Sequence, residues 1–477
     1  MHTCTLNQLN TAQGVSIQSL KKRFEDFIST ESALPIMGIV VLLFHVLALD
    51  MVWFWFVAVY FVLVCFSNAK IQALLPAILM VVFGISLQNG FYQPNILDIT
   101  YFESNIPYLA IVGSIMVIAT IFGLKKRGLK LRLTWGFIGV IALGLSFIFG
   151  GLFSDGHNSL ALLMGIVYAT LFIMFFVLFS AIMPTVKFDY LAKTIILCSL
   201  VVCFQIFRVY IEYNIFGMPY YISSAQRKNY VVLGWGISNN VGIFAVLGLP
   251  FAAYYMFKHI AHAWAYLVFI VMLLAAALTL SRAVVFISYP IAIVLIVYAL
   301  IRAKGRQRII LLSLTALAAL VIGLMVALNW EQVYTTLEFF WVYGVDGRGR
   351  EPLFELAIQA FLRYPLFGAG LVYGAYPFEM VDFLFFPHNA VLQFLMWGGL
   401  LGLGAYLLHT LFLILSTFKK PNEKRILIFV ATLLIILHSM LDIGFFMPPS
   451  LIYYMLFVTA IESSAIKRGS FGLLLRQ

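Results

Sequence analysis

Apolar stretches close to the roughly 20 residues that cross a hydrocarbon core as a helix follow one another along this chain, parted by short polar breaks. Strands of a membrane barrel are about ten residues long and alternate in polarity, so runs of this kind are helices. The pattern predicts spans near 34–49, 51–67, 71–88, 106–124, 133–152, 160–183, 194–213, 240–257, 263–280, 284–301, 309–328, 389–416, 426–444 and 450–466. The fold class is therefore all-α: a polytopic integral membrane protein with about fourteen transmembrane helices, or about twelve if short pairs merge. Asp50 alone parts the first two spans, which read as a hairpin of short helices or one long tilted helix.

Four regions follow from the same pattern: a polar segment 1–33, an N-terminal group of helices 34–213, a second group 214–466 and a tail 467–477. The second group contains the longest connection, 329–388, in which Pro352 opens a surface helix with Leu353, Phe354, Leu356, Ala357, Ala360 and Phe361 on its apolar face.

Composition agrees with a bilayer environment, because a mean hydropathy of +1.02 with 10% charged residues leaves too little polar surface to coat a soluble globule. The net charge of +11 has a topological explanation. Lys21-Lys22-Arg23, Lys125-Lys126-Arg127 with Lys130 and Arg132, Arg302 to Arg308, Lys419-Lys420 with Lys424-Arg425, and Lys467-Arg468 fall at alternate turns, as cytoplasmic anchors do. Both termini are then expected in the cytoplasm, with membrane lipids and no nucleic acid as partners of this charge. The first 33 residues lack an apolar core before a small-residue cleavage site, so the first span is expected to be retained, and 15–28 fits a short interfacial helix. Cys65, Cys198 and Cys203 lie in apolar runs without metal or redox spacing and are assigned to packing.

Once those anchors are set aside, Arg208, Arg227, Lys228, Arg282, Arg348, Arg350 and Arg363 remain, all on the outward side of this scheme. Guanidinium stays charged and grips phosphate oxygens with paired donors, which suits a diphosphate held beside a membrane. Arg208 has Glu212 one turn later and reads as a structural pair. Arg348 and Arg363 read equally well as ties to acidic neighbours, whereas Arg282 sits after Thr279-Leu280-Ser281 in a connection of very few residues.

Arg227, Ser238-Asn239-Asn240, Ser281-Arg282, Gly349-Arg350, Pro365 with Gly368-Ala369-Gly370, His388-Asn389 and Gly399-Leu400-Leu401-Gly402 resemble, in this order, the O-antigen ligase and polymerase superfamily. These are membrane glycosyltransferases of the C type acting on undecaprenyl-diphosphate-linked glycans. The likeness covers roughly 220–460 and includes His438-Ser439 with Asp442. Three positions depart from the family pattern: Ala283 for glycine, Phe354 for tryptophan, and Trp397 where relatives often carry an acid.

The resemblance implies a fold of the same type, no cofactor and no metal, a lipid-linked glycan donor, and an acceptor that is either another glycan or lipid A core; a chain-length regulator is a further candidate partner. It implies catalytic roles for His388, Arg282 and Arg227. His388 would be the base or acceptor-orienting group, since imidazole is substantially neutral near physiological pH, and the arginines would neutralise the leaving diphosphate. Substrate contacts are implied for Arg350, Asn389, Asn240, Gly368, Gly370, Asp442 and His438. His388 also reads as a helix-start cap, His438 and Asp442 as an internal helix pair, and the glycines as a simple turn. A lipid-linked oligosaccharide transporter would share the helix count, but it would be expected to carry internal repeats and broken helices at the midplane, and neither is evident.

Overall fold

The computed structural model describes residues 17–86, 99–128, 134–155, 157–216, 231–258, 262–328, 330–331, 333–335, 338, 350–371, 387–419 and 421–465. Helix α1 (Ile17–Ile28) carries Leu20, Phe24 and Phe27 along one stripe, the spacing of a helix lying in a membrane surface. It meets the segment leading into α2 (Leu34–Val46) at 82°, the geometry of an interfacial helix turning into a span. A helix is present over most of 15–28, and the hairpin of short first helices is present as α2 and α3 (Asp50–Phe66).

The span expected over 71–88 is not one helix. A 3-10 turn at Ile71–Ala73 leads into α4 (Leu74–Leu79), only six residues long, and turns follow. Pro76 and Gly84 weaken a helix there, and Gly84 lies against the Trp53 ring, where a Cβ would come within 2.3 Å.

The remaining helices follow the predicted pattern closely: α5 (Ile99–Lys126), α6 (Trp135–Phe149), α7 (Ser159–Ile182), α8 (Phe188–Phe216), α9 (Ser238–Val246), α10 (Leu249–Lys258), α11 (Trp264–Leu278), α12 (Arg282–Arg302), α13 (Gly305–Leu328), α14 (Glu351–Arg363), α15 (Ala390–Phe418), α16 (Glu423–Leu441) and α17 (Pro448–Ala465). A two-stranded antiparallel hairpin, Val232–Leu233 with Gly236–Ile237, precedes α9. Eight helices among the described residues are long and apolar enough to cross a membrane, and a ninth span results if the bent pair at the N-terminus is counted as one. The architecture is all-α and polytopic. Of the connection 329–388, a helix is present at the expected place as α14, with Pro352 in its first turn and Ala357 and Ala360 buried. Most of the rest of that connection lies outside the described residues.

The span Ser238–Lys258 is fully enclosed by its neighbours and forms the axis of the second half. It is broken between α9 and α10, and Ser199 of α8 mends the break: its Oγ donates to Phe244 O at 2.7 Å and accepts from Gly248 N at 2.9 Å. α15 is broken as well, at Gly399, where φ is 60° and ψ is −149°.

Basic and acidic side chains stitch one end of the bundle together. Arg127 donates to the Val64, Cys65, Ser67 and Ala69 carbonyls at the end of α3, Arg302 pairs with Glu423 at 3.0 Å, and Arg425 reaches Ser464 Oγ at 2.9 Å. At this end Glu462 caps the start of α6, accepting from Gly136 N at 2.7 Å and Thr134 Oγ1 at 2.7 Å. The helix starts of α9, α12 and α15 lie at the opposite end.

Candidate active site at one end of the helix bundle

His388 stands in the left-handed backbone region, with φ at 53°. This conformation is disfavoured for a side chain with a Cβ and persists where surrounding contacts over-determine it. Asn389 supplies those contacts. As N-cap of α15 it accepts from Leu392 N at 3.1 Å, and its amide donates to Met440 O at 3.1 Å near the end of α16. Arg350, at the start of α14, donates from Nη1 to Leu441 O at 2.6 Å. Carbonyls in the last turn of a helix have no partner within it, so α16 offers two acceptors to which the elements around it are fastened.

Asp442 follows directly as the C-cap of α16. Its Oδ1 accepts from Ile443 N at 2.7 Å and lies 3.0 Å from His388 Nδ1, and its Oδ2 accepts from the Asn239 side chain in the first turn of α9. Asp442 is 3% exposed, while the His388 side chain keeps 34% of its surface. An ionised carboxylate only accepts, so the Nδ1 of His388 carries the shared proton and Nε2 is left as the open ring nitrogen. Burial by itself would raise the Asp442 carboxyl. The hydrogen bond from His388, the interactions with His438 and His388, and the Ile443 amide outweigh it and hold the carboxyl well below the usual range.

Arg282 opens α12 behind a second left-handed residue, Leu280, with φ at 51°. Ser281 caps the helix by accepting from Val284 N at 3.4 Å, and Thr279 Oγ1 accepts from Ser281 N at 3.2 Å. Arg282 Nη1 is buried without a hydrogen-bond partner among the described residues, and the guanidinium lies within electrostatic range of Arg350. Two cations this near one another, one with an unused donor, favour an anion between them.

The other expected residues fall in three places. His438 is fully buried one turn before Asp442, with neither ring nitrogen in a hydrogen bond among the described residues; the Asn239 backbone lies near the ring without completing one. Gly444 packs against that ring so closely that a Cβ would approach Nδ1 to 2.5 Å. Asn240 is 5% exposed with its Oδ1 unpartnered among the described residues. Its neighbour Asn239 is the one that reaches Asp442. Arg227, Lys228 and Arg348 lie outside the described residues. Arg363 is tied to Asp155 at 2.5 Å, and Asp155 also accepts from Tyr364 OH at 2.7 Å, which fits the reading of that arginine as a tie to an acidic neighbour.

Gly368 and Gly370 meet the break in α15. Ala369 N donates to Met396 O at 2.7 Å and Gly370 N to Trp397 O at 3.1 Å, while Leu400 N and Leu401 N donate back to Pro365 O at 2.8 Å and Leu366 O at 3.2 Å. The loop thus satisfies backbone groups that the break at Gly399 releases. A Cβ on Gly368 would lie 2.5 Å from the Trp397 carbonyl carbon, and its φ is +71°. The short half of α15, Ala390 to Gly398, which follows His388, is locked by this exchange.

Residues 267–407 match the family described as O-antigen ligase. This match supports the likeness to the O-antigen ligase and polymerase superfamily that the motifs carry. The match takes in Arg282, Arg350, the glycine loop, His388 and the break in α15; Asn239 and Asp442 lie beyond its two ends. O-antigen ligase/polymerase-type assembly of cell-surface glycan is accordingly the broad class of activity. No curated protein and no solved structure matches the chain.

Proposed function

We propose that the chain transfers or polymerises glycan carried on undecaprenyl diphosphate at the outer face of the bacterial cytoplasmic membrane. The observation that carries this reading is the pairing of His388 with a buried, ionised Asp442 at the end of the bundle that also presents Arg282 and Arg350.

The diphosphate lies against Arg282 and Arg350, with Arg227 in support, while the isoprenoid tail remains in the bilayer. The acceptor sugar hydroxyl approaches the Nε2 of His388. As the oxygen attacks the anomeric carbon and the bond to the diphosphate oxygen breaks, its proton passes to Nε2. The resulting imidazolium is stabilised by Asp442, which Asn239 and the Ile443 amide hold in place. Attack opposite the leaving diphosphate inverts the anomeric centre. Arginines neutralise the leaving charge in this scheme, so no metal and no cofactor is assigned a step. Asn240 and His438 are buried beside Asn239 and Asp442 and back the pair, and Gly368 and Gly370 set the position of the short helix bearing Asn389.

The cationic end of the bundle, with Arg127, Arg302 and Arg425, faces the cytoplasm in this account, which puts the His388 end outside. The full topology is about fourteen spans. Polymerase is preferred to ligase because the chain is long and rich in spans. Undecaprenyl-diphosphate-linked repeat units incubated with the reconstituted protein test the choice. A ladder of lengthened lipid-linked product supports the polymerase, whereas transfer only to added lipid A core supports the ligase. Movement of the lipid-linked glycan across vesicles with no transfer contradicts both.

A further inference from the structure

At the cationic end of the bundle, α1, α2, α3 and the first turn of α8 enclose a groove of about 220 Å³. Phe27, Met37, Val59, Leu63 and Pro76 are among the residues of its wall. Two tyrosines interrupt this wall, Tyr60, whose hydroxyl donates to Ala73 O at 3.0 Å, and Tyr190. Tyr190 lines the groove, is 2% exposed, and its hydroxyl is buried with no hydrogen-bond partner among the described residues. A hydroxyl buried without an acceptor costs free energy that a bound acceptor would recover.

The rim is cationic. On the 3.6-residue geometry of α1, Lys21 and Arg23 flank the apolar stripe of Leu20, Phe24 and Phe27 on its two sides, and both are exposed. Of the acids nearby, Glu25 is turned inward and accepts from Asn68 N at 3.2 Å, Asp26 is exposed on the side of Arg23 away from the stripe, and Glu31 is paired with Lys193. Charge at the rim, an apolar lining and a buried donor, Tyr190, without an acceptor among the described residues fit the parts of one lipid molecule: an anionic headgroup, a hydrocarbon chain and an ester carbonyl.

We infer that this groove binds one anionic phospholipid, its headgroup between Lys21 and Arg23 and one acyl chain against Val59 and Leu63. The inference is independent of the transfer chemistry proposed above, since it concerns the opposite end of the bundle and no residue of the His388 site.

The test uses the full-length protein in detergent, stripped of lipid, with phosphatidylglycerol, phosphatidylcholine, a polyprenyl phosphate and inorganic phosphate added separately and occupancy read by native mass spectrometry. One phosphatidylglycerol per chain is expected, with a roughly thirty-fold preference over phosphatidylcholine, equivalent to about 2 kcal/mol at about 1 kcal/mol per cation. Lys21→Ala with Arg23→Ala removes the preference. Val59→Trp and Ile36→Trp, both at exposed positions of the groove wall, each remove the bound lipid while the melting temperature in detergent without lipid stays unchanged. Equal retention of phosphatidylcholine, tighter retention of the polyprenyl phosphate, binding of inorganic phosphate alone, or undiminished lipid in both tryptophan variants would overturn the inference.

Discussion

His388 and Asp442, 54 residues apart in the chain, meet at 3.0 Å because Asn389, the residue after His388, is also hydrogen-bonded to Met440, two residues before Asp442. The cap that starts α15 and the carbonyls that end α16 are thereby one joint. Position and electrostatics of the imidazole are set by the same few residues.

Asp442→Asn keeps the size of the side chain and removes the charge that stabilises an imidazolium at His388. Transfer is expected to fall by about 10²–10⁴-fold, mostly in kcat, which is the range for losing general base catalysis. Asn239→Ala, which frees Oδ2 of a still ionised Asp442, should cost less. Single-turnover transfer with each variant separates the two.

Asp442 also sets a pH dependence of stability. Its folded carboxyl is held below the ordinary carboxylate range, so on acidification the unfolded chain binds this proton first, and the stabilisation is complete above about pH 4 and is lost as pH falls further. The part of the stability difference between the native chain and Asp442→Asn that comes from this carboxyl should therefore shrink as pH falls below about 4. Melting curves across that pH in detergent check it.

Most of the architecture was legible in the sequence, because a run of about twenty apolar residues has one stable form in a bilayer. The failure at 71–88 is instructive in the same terms: hydropathy reports burial, and this stretch is buried, but as a short helix and turns among other helices. At the site, Arg282 and the His388-Asn389 pair were legible as polar residues at helix starts. Asn239 was not separated from Asn240, since neighbours on a helix differ by about 100° in direction and only the packing of α9 against α16 decides which one faces Asp442. The partner of Gly368 was equally hidden, because the break in α15 falls inside an apolar run whose glycines, Gly398 and Gly399, also fit an unbroken helix.

Gly368→Ala should be strongly destabilising. Its φ of +71° disfavours any side chain, and the added Cβ would strike the backbone of Trp397 and Gly398. A loss of about 1–3 kcal/mol is expected for a forced left-handed residue before the clash is counted. Gly404→Ala, five residues beyond Gly399 on α15 with no atom within 4 Å of the added group, is the control and should be neutral or mildly stabilising. Thermal unfolding of both in the same detergent gives the comparison.

Asn389 has two jobs that substitutions can part. Asn389→Asp keeps the N-cap acceptor and loses the donor to Met440 O; Asn389→Ala loses both. The alanine variant should lose about 1 kcal/mol of stability through the cap. Both variants should lose transfer activity, because the link that holds His388 to Asp442 is the one common to them. Activity retained in Asn389→Asp would mean that the cap alone positions the imidazole.

The most direct measurement is glycan transfer by the reconstituted protein from an undecaprenyl-diphosphate-linked repeat unit, with a chelator present, for the native chain and for His388→Ala, Asp442→Asn and Arg282→Ala. The account predicts that the native chain remains active under chelation and that all three variants fall by at least about a hundredfold. Full activity in His388→Ala and Asp442→Asn would contradict it and move the chemistry away from this pair.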